Sequence, residues 1–168
     1  MVIIVFGLPG SGKTYFSVAL AKELDAIYLG SDKLRKELLE QRSYLLAEKM
    51  MIYDELLENM SAHFTSKKDV VVDATFYRDE FREKFIKKLN SEHILFVFIE
   101  IVADEEVIKK RLGQPRQYSE ADYEVYQNLK SEFQPFVSNH LILKSTNENL
   151  REMLLKTKKY LTQKNRKV

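Results

Sequence analysis

Short apolar runs alternate with segments of helical periodicity along the whole chain. Five runs have the length of strands, and they lie at Val2–Phe6, Ala26–Leu29, Val70–Val72, Ile94–Val102 and His140–Leu143. Between them, the spacing of apolar residues predicts one helix within Tyr44–Phe64 and one from Ser31 onward. It predicts further helices over Lys13–Leu24, Arg78–Leu89, Asp104–Leu112, Ser119–Phe133 and Asn147–Leu161. Asp104 and Ser119 are the expected N-caps of two of these helices. This alternation is typical of the α/β class, in which helices cover both faces of a parallel sheet.

The chain has the size and composition of one globular domain. It has 168 residues, of which 45% are hydrophobic and 31% charged, and it shows no repeat or linker, so we expect a single domain over residues 1–168. It contains no cysteine, which excludes disulfides and thiolate metal sites. No apolar run approaches the roughly 20 residues of a membrane span, and Val2–Phe6 lacks the basic leader of a signal peptide. We therefore expect a cytoplasmic protein without a membrane partner.

Positive charge is concentrated at the C-terminus. The net charge is +2, but residues 151–168 contain seven basic residues and one acidic residue. These residues overlap a predicted basic helix at about 147–164. Such a helix could rest on nucleic acid, or its lysines could simply be solvated and favourably placed in the helix dipole. The sequence leaves both interpretations open.

A phosphate-binding loop follows the first predicted strand. The segment from Gly7 to Thr14 fits G-x-x-x-x-G-K-[ST], and it sits between a buried strand and a helix, as that motif requires. Its glycines allow successive backbone N–H groups to turn inward around phosphate oxygens, and the helix that opens at Lys13 adds its own N–H groups. Lys13 is expected to reach the β- and γ-phosphates, and the Thr14 hydroxyl to bind Mg²⁺. The predicted ATP-binding residues are Gly7, Leu8, Pro9, Gly10, Ser11, Gly12, Lys13, Thr14 and Tyr15.

Two carboxylates follow the second and third predicted strands. In an open parallel sheet, ligands bind beyond the carboxyl ends of the strands, where Asp32 and Asp73 are expected. Asp32 could accept the proton of a hydroxyl acceptor, with Arg35 one helical turn further on to bind phosphate oxygens. Alternatively, Asp32 is a helix N-cap. Asp73 could hold Mg²⁺, usually through water, or contact the acceptor, or cap a turn.

A basic loop lies at about residues 111–119. It contains Arg111 and Arg116, together with Gly113 and Pro115, which favour hinge-like turns. Arginines delivered by a mobile segment stabilise the charge that spreads over a transferring phosphoryl group and exclude water from it. The sequence therefore predicts a short catalytic lid, with a solvated surface loop as the alternative.

These motifs together resemble the small P-loop kinases of the predicted-kinase AAA type. Relatives of that group include the 5′-kinase domain of polynucleotide kinases, chloramphenicol phosphotransferase and zeta toxins. Beyond the phosphate loop, the group's pattern of S-D-x-x-R, D-A-T with a later arginine, R-L, S-[DE]-A-D and F-x-P is matched at Ser31, Asp32, Arg35, Asp73, Ala74, Thr75, Arg82, Arg111, Leu112, Ser119, Glu120, Ala121, Asp122, Phe133 and Pro135. The match keeps its order over about residues 2–136. Arg116 departs from the pattern, because it follows Arg111 by five residues rather than four.

The resemblance implies a fold and a set of roles. It implies a three-layer, nucleoside-kinase-like P-loop NTPase with a parallel five-stranded sheet of order 2-3-1-4-5 and a short lid. It further implies ATP as phosphoryl donor, Asp32 as the base, and Arg35, Arg111 and Arg116 as charge stabilisers. In such folds adenine usually rests between a lid arginine and the loop after the last strand, here Lys144–Asn147.

The sequence therefore predicts an ATP-dependent phosphotransferase acting on a hydroxyl. The expected partners are ATP, ADP and an acceptor that is either a 5′-hydroxyl nucleic acid end or a small metabolite. The alternative is a switch or regulatory module that binds or hydrolyses ATP without a phosphoryl acceptor. The carboxylate at Asp32 favours the kinase, because a switch does not need it.

Overall fold

A parallel five-stranded sheet forms the centre of the molecule. The computed structural model describes residues 1–40, 43, 45–115 and 121–165. The strands are β1 (Val2–Phe6), β2 (Ile27–Gly30), β3 (Val70–Asp73), β4 (Phe96–Val102) and β5 (Leu141–Lys144). Their order is β2-β3-β1-β4-β5, and every neighbouring pair is parallel. The predicted fold class and strand order are thus confirmed.

Seven helices connect or flank these strands in the described part of the chain. They are α1 (Lys13–Leu24), α2 (Ser31–Leu38), α3 (Leu46–Ala62), α4 (Asp79–Ser91), α5 (Glu105–Leu112), α6 (Tyr123–Glu132) and α7 (Leu150–Asn165). None of them is both long enough and apolar enough to cross a lipid bilayer.

One of the two predicted helix caps is found at its predicted position. Asp104 is the N-cap of α5, although its side chain makes no cap hydrogen bond there and pairs with Lys144 instead. The N-cap position can be predicted from the sequence, but the ion pair with Lys144 at the end of β5 cannot. The other predicted cap, Ser119, lies outside the described residues; α6 begins at Tyr123, and its cap is Asp122, whose Oδ1 accepts the Val125 N–H at 2.9 Å.

Both faces of the sheet are buried because both are covered by helices. On β1, Ile4 and Phe6 face one hydrophobic cluster, to which α3 and α4 contribute, while Ile3 and Val5 face a second cluster built with α1 and α7. All four side chains have no measurable exposure. The β-branched run at the start of the chain is therefore apolar at every position, not only at alternate ones.

The strand register brings the candidate residues to one edge of the sheet. Asp73, the last residue of β3, is paired with Val5 of β1 on one side and with Gly30 of β2 on the other. The phosphate loop leaves the end of β1, and α2 with Asp32 leaves the end of β2. Three segments distant in sequence thus meet at the carboxyl edge.

Candidate active site

The phosphate loop is closely packed and depends on glycine. Gly7, Gly10 and Gly12 have φ values of +143°, +78° and +95°, which side chains of L-residues rarely adopt. A Cβ atom at Gly7 would also collide with the carbonyl oxygen of Ile101, and one at Gly12 would lie 2.8 Å from Ser145 Oγ. At Gly7 and Gly12 the loop backbone therefore lies so close to neighbouring segments of the protein that only glycine fits.

The start of α1 offers positive charge and unpaired backbone donors. Gly12 is its N-cap and no side chain caps it, so the first backbone N–H groups lack the partner that a cap would supply. Lys13 is only 7% exposed, and its ammonium forms no hydrogen bond or ion pair with the described residues, although its charge acts on Asp73. A buried cation without a close partner fits an anion bound at the loop. Tyr15, one residue beyond Thr14, points away into solvent with 71% exposure.

Asp73 lies beside this loop with one oxygen held and one oxygen free. It is 3% exposed, and its Oδ2 accepts a hydrogen bond from the Tyr28 hydroxyl at 3.0 Å. Its Oδ1 has no hydrogen-bond partner among the described residues. Burial raises the pKa of Asp73, while the charge of Lys13 and the nearby Thr14 hydroxyl oppose that increase. A free carboxylate oxygen close to a hydroxyl is the oxygen chemistry that suits Mg²⁺.

Asp32 is ion-paired rather than acting as a helix cap. The N-cap of α2 is Gly30, and no side chain caps the helix. Arg35 donates from Nη1 to Asp32 Oδ1 at 2.8 Å and from Nε to Glu48 Oε1 at 3.0 Å. The Asp32 side chain keeps 27% exposure, whereas that of Arg35 keeps 8%. The carboxylate therefore faces the site with a fixed orientation.

This arrangement adds to the role that the sequence predicts for Arg35. Two carboxylates already occupy its guanidinium, so its observed contacts orient Asp32. Binding of phosphate oxygens by Arg35 stays a prediction. Glu48 lies on α3, thirteen residues away, and nothing in the sequence pattern indicated that it would pair with Arg35.

A second group of polar side chains surrounds Tyr77. Lys49 Nζ lies 3.5 Å from the Tyr77 hydroxyl and 5.0 Å from the centre of its ring. Burial lowers the pKa of Lys49, and the charges of Arg35 and Arg78 contribute to the decrease. Arg78 is paired with Glu132 at 2.7 Å, and both border a cavity of about 390 Å³ lined further by Asp79, Glu80 and Gln134. This wall suits a polar ligand.

Arg111 connects the phosphate loop to the segment after β5. Its Nη1 donates to the carbonyl oxygens of Ser11 and Gly10 at 3.0 and 3.3 Å. Its Nη2 donates to Ser145 Oγ, and its Nε to Asn147 Oδ1, both at 3.2 Å. Arg111 thus reaches the segment Lys144–Asn147, where the resemblance places adenine. Arg111 and Leu112, the first residues of the predicted lid, are the last two residues of helix α5. A catalytic lid stays a prediction. Arg116 lies outside the described residues.

The buried Arg82 has a structural role that sequence reasoning did not assign. It is 1% exposed, and its Nη2 donates to Asp79 Oδ1 at 2.7 Å and to the carbonyl oxygen of Gln134 at 2.5 Å. Its guanidinium also lies 5.8 and 5.3 Å from the ring centres of Phe133 and Phe136. The arginine after D-A-T and the F-x-P segment are therefore parts of one contact, which ties α4 to the end of α6.

Removing the Arg111 side chain is expected to weaken nucleotide binding. Arg111→Ala loses the hydrogen bonds that hold the loop carbonyls against Ser145 and Asn147, so the dissociation constant for MgADP should rise about tenfold. Isothermal titration calorimetry measures this directly. Lys110→Ala, a truncation at the exposed neighbouring position of α5, is the control and should bind like the wild type. Wild-type affinity in Arg111→Ala would show that the contact does not shape the loop.

Several solved structures, two of them kinases by name, share this fold. The APS kinase CysC of Mycobacterium tuberculosis, in complex with AMPPNP and APS, has a TM-score of 0.76 at 17% identity, with 96% of each chain covered. Kti12 of Chaetomium thermophilum, in complex with ADP-AlF3, has a TM-score of 0.71 at 18% identity, covering 94% of this chain and 97% of that chain. A gluconokinase from Sinorhizobium meliloti 1021 has a TM-score of 0.68 at 16% identity, covering 92% and 87%. At these identities the likeness establishes a P-loop kinase-like fold alone.

Sequence comparison places the chain in a family. No curated protein matches the sequence. A family model described as AAA domain matches residues 2–136, which contain the phosphate loop, both carboxylates and the predicted lid at about residues 111–119. The chain therefore belongs to this AAA domain family.

Proposed function

We propose that the protein is an ATP-dependent kinase that transfers the γ-phosphate of ATP to a hydroxyl acceptor. The observation that carries the proposal is the meeting of two groups at one edge of the sheet. One is Lys13, a buried side chain whose ammonium forms no hydrogen bond or ion pair within the described chain. The other is Asp32, a partly exposed carboxylate whose orientation Arg35 fixes. The first group suits a phosphate, and the second suits a hydroxyl next to it.

The donor would be held by the loop from Gly7 to Thr14, with its magnesium ion near Thr14 and Asp73. Two proteins with this fold were solved with AMPPNP and with ADP-AlF3, which supports a nucleotide ligand here. The free Oδ1 of Asp73 supports a metal bound through water. Magnesium would neutralise charge on the phosphate oxygens. Whether Tyr15 contacts the nucleotide stays a prediction, since its side chain is exposed.

The residues present fit an in-line transfer. The acceptor oxygen forms a bond to the γ-phosphorus while the bond from that phosphorus to the leaving oxygen of ADP breaks. Asp32 receives the proton that the hydroxyl loses, and Arg35 keeps the receiving carboxylate in place. Lys13 and the loop N–H groups balance the charge that spreads over the transferred group. Arg111 holds the loop through the carbonyl oxygens of Gly10 and Ser11, and its direct action on phosphate charge stays a prediction.

The acceptor is either a 5′-hydroxyl nucleic acid end or a small metabolite. The wall formed by Lys49, Tyr77 and Arg78 is polar and carries both signs of charge, so it supports a hydroxyl-bearing acceptor without selecting between these classes. The basic helix α7 does not decide the question either. Two of its lysines are already engaged, Lys156 with Glu152 and Lys158 with Glu23.

Transfer of radiolabelled γ-phosphate from MgATP tests the proposal. The acceptors are a 5′-hydroxyl RNA, a 5′-hydroxyl DNA and a fractionated metabolite pool, each compared with a reaction that contains no acceptor. We expect label on one acceptor class. Label released only as free phosphate, at a rate that no acceptor changes, would contradict the kinase and favour the ATP-hydrolysing switch.

A further inference from the structure

The glycine at the end of β2 makes room for a tyrosine ring. Gly30 has a φ of −120°, an ordinary extended conformation that any residue adopts. A Cβ atom there would nevertheless collide with the Tyr28 hydroxyl oxygen and lie 2.8 Å from Tyr28 Cζ. The requirement for glycine is therefore one of space: the ring of Tyr28 lies along the strand, over Gly30.

That path brings the Tyr28 hydroxyl to the neighbouring strand at Asp73. Gly30 and Asp73 are register partners in the β2–β3 pair, so a ring that lies over Gly30 ends beside Asp73. The hydroxyl donates to Asp73 Oδ2 at 3.0 Å. A carboxylate anchored at one oxygen has its second oxygen in a defined place, and within the described residues that second oxygen, Oδ1, is buried without a partner.

The same face of the sheet carries the start of α1. Tyr28 packs against the hydrophobic cluster that contains Phe16 and Leu20 of α1, the helix that opens with Lys13 and Thr14. The phosphate loop that leads to Thr14 leaves the end of β1, the strand whose Val5 is the register partner of Asp73. Tyr28, Asp73 and the proposed magnesium-binding hydroxyl are therefore adjacent on one side of the sheet.

We propose that Tyr28 is a positioning residue for magnesium: its hydroxyl holds Oδ2 of Asp73 so that Oδ1 is presented to the metal's water shell, and Gly30 provides the space. The inference rests on the proposed function, in which Thr14 and Asp73 serve the metal of bound ATP. Hydrogen-bond partners of this kind behind a metal-binding group commonly change metal affinity by about tenfold or more. A merely structural tyrosine would change the stability of the protein and leave magnesium dependence intact.

Magnesium-dependent nucleotide affinity separates these roles. The dissociation constant for AMPPNP is measured by calorimetry with excess Mg²⁺ and with EDTA. The value in EDTA divided by the value in Mg²⁺, called the magnesium ratio, reports how much the metal strengthens binding. We expect Tyr28→Phe to reduce this ratio about tenfold while the affinity in EDTA stays at the wild-type value. Gly30→Ala, which displaces the same ring, should lower the ratio in the same direction and provides a second route if Tyr28→Phe folds poorly.

The chain offers a matched control in Tyr160. It packs against the same hydrophobic cluster as Tyr28, but its buried hydroxyl has no hydrogen-bond partner among the described residues. Tyr160→Phe therefore removes an equivalent hydroxyl that does not reach Asp73, and it should keep the wild-type ratio. Asp73→Asn completes the set, because it removes the carboxylate itself and should lower the ratio at least as far as Tyr28→Phe does.

The outcomes distinguish this inference from the proposed function. If Asp73→Asn lowers the magnesium ratio while Tyr28→Phe and Gly30→Ala retain it, Tyr28 has no positioning role, although Asp73 still serves the metal. If Asp73→Asn also retains the ratio, the metal role of Asp73 is wrong, and the inference about Tyr28 falls with it. A parallel decrease in Tyr28→Phe, Gly30→Ala and Asp73→Asn, with Tyr160→Phe unchanged, supports both.

Discussion

Asp32→Asn is expected to lower the rate of phosphoryl transfer about 1,000-fold while leaving the affinity for MgATP within about twofold of the wild type. The asparagine oxygen can still accept the hydrogen bond from Arg35 Nη1, so the local structure should persist. The amide cannot receive the proton that the acceptor hydroxyl loses. The defect should therefore appear in kcat rather than in nucleotide binding, as measured by single-turnover transfer and by calorimetry.

The control for this substitution lies on the same helix. Glu37→Gln also converts an acid of α2 to its amide, but Glu37 is exposed and pairs only loosely with Lys33, at 3.8 Å. It should transfer phosphate like the wild type. Transfer at the wild-type rate by Asp32→Asn would show that Asp32 serves only to bind Arg35. Loss of ATP affinity in the same variant would instead indicate that the Asp32–Arg35–Glu48 contacts support the nucleotide site.

Much of the fold could be predicted because its signals are local or contained in a motif. The phosphate loop is a contiguous segment, and the apolar runs locate all five strands to within about two residues. The strand order depended on the resemblance, since nothing in periodicity states which strands are neighbours. Two helix starts are displaced. The last helix begins at Leu150 rather than Asn147. The start at Tyr123 rather than Ser119 arose because Ser119 and Asp122 are both good N-caps and the sequence did not distinguish them.

The contacts within the site were harder to predict from the sequence, because they join residues far apart in the chain. Asp32 and Asp73 were identified from their positions at strand ends. Arg35 links Asp32 to Glu48, which lies on a different helix. Asp73 accepts a hydrogen bond from Tyr28, which lies on a different strand. Tyr28 is an ordinary residue in a short strand when the sequence is read alone. Its contact with Asp73 becomes evident only from the strand register, which places Gly30 beside Asp73.

Lys13→Met is expected to abolish most nucleotide binding without lowering the thermal stability of the unliganded protein. The methionine side chain is nearly as long as that of lysine, so it fills the same space without the charge. Loss of a charge-assisted contact to phosphate should raise the dissociation constant for MgAMPPNP about 100-fold, which corresponds to about 2.7 kcal/mol. At a ligand concentration of about 100 times the wild-type dissociation constant, the ligand stabilises the wild type by about 2.7 kcal/mol and the variant by only about 0.4 kcal/mol.

The effect on the unliganded protein is what makes this variant informative. Lys13 is 7% exposed and forms no hydrogen bond or ion pair within the described chain, but its charge acts on the buried carboxylate of Asp73. Lys13→Met removes both the cost of burying the ammonium and its attraction to Asp73, and these two effects on folding oppose each other. Thermal denaturation without nucleotide should therefore give Lys13→Met a Tm close to that of the wild type. With saturating MgAMPPNP the wild type should have the clearly higher Tm, and Lys22→Met, an exposed position on the same helix, should follow the wild type throughout. A large fall in Tm without nucleotide would mean that Lys13 chiefly stabilises the fold rather than binding phosphate.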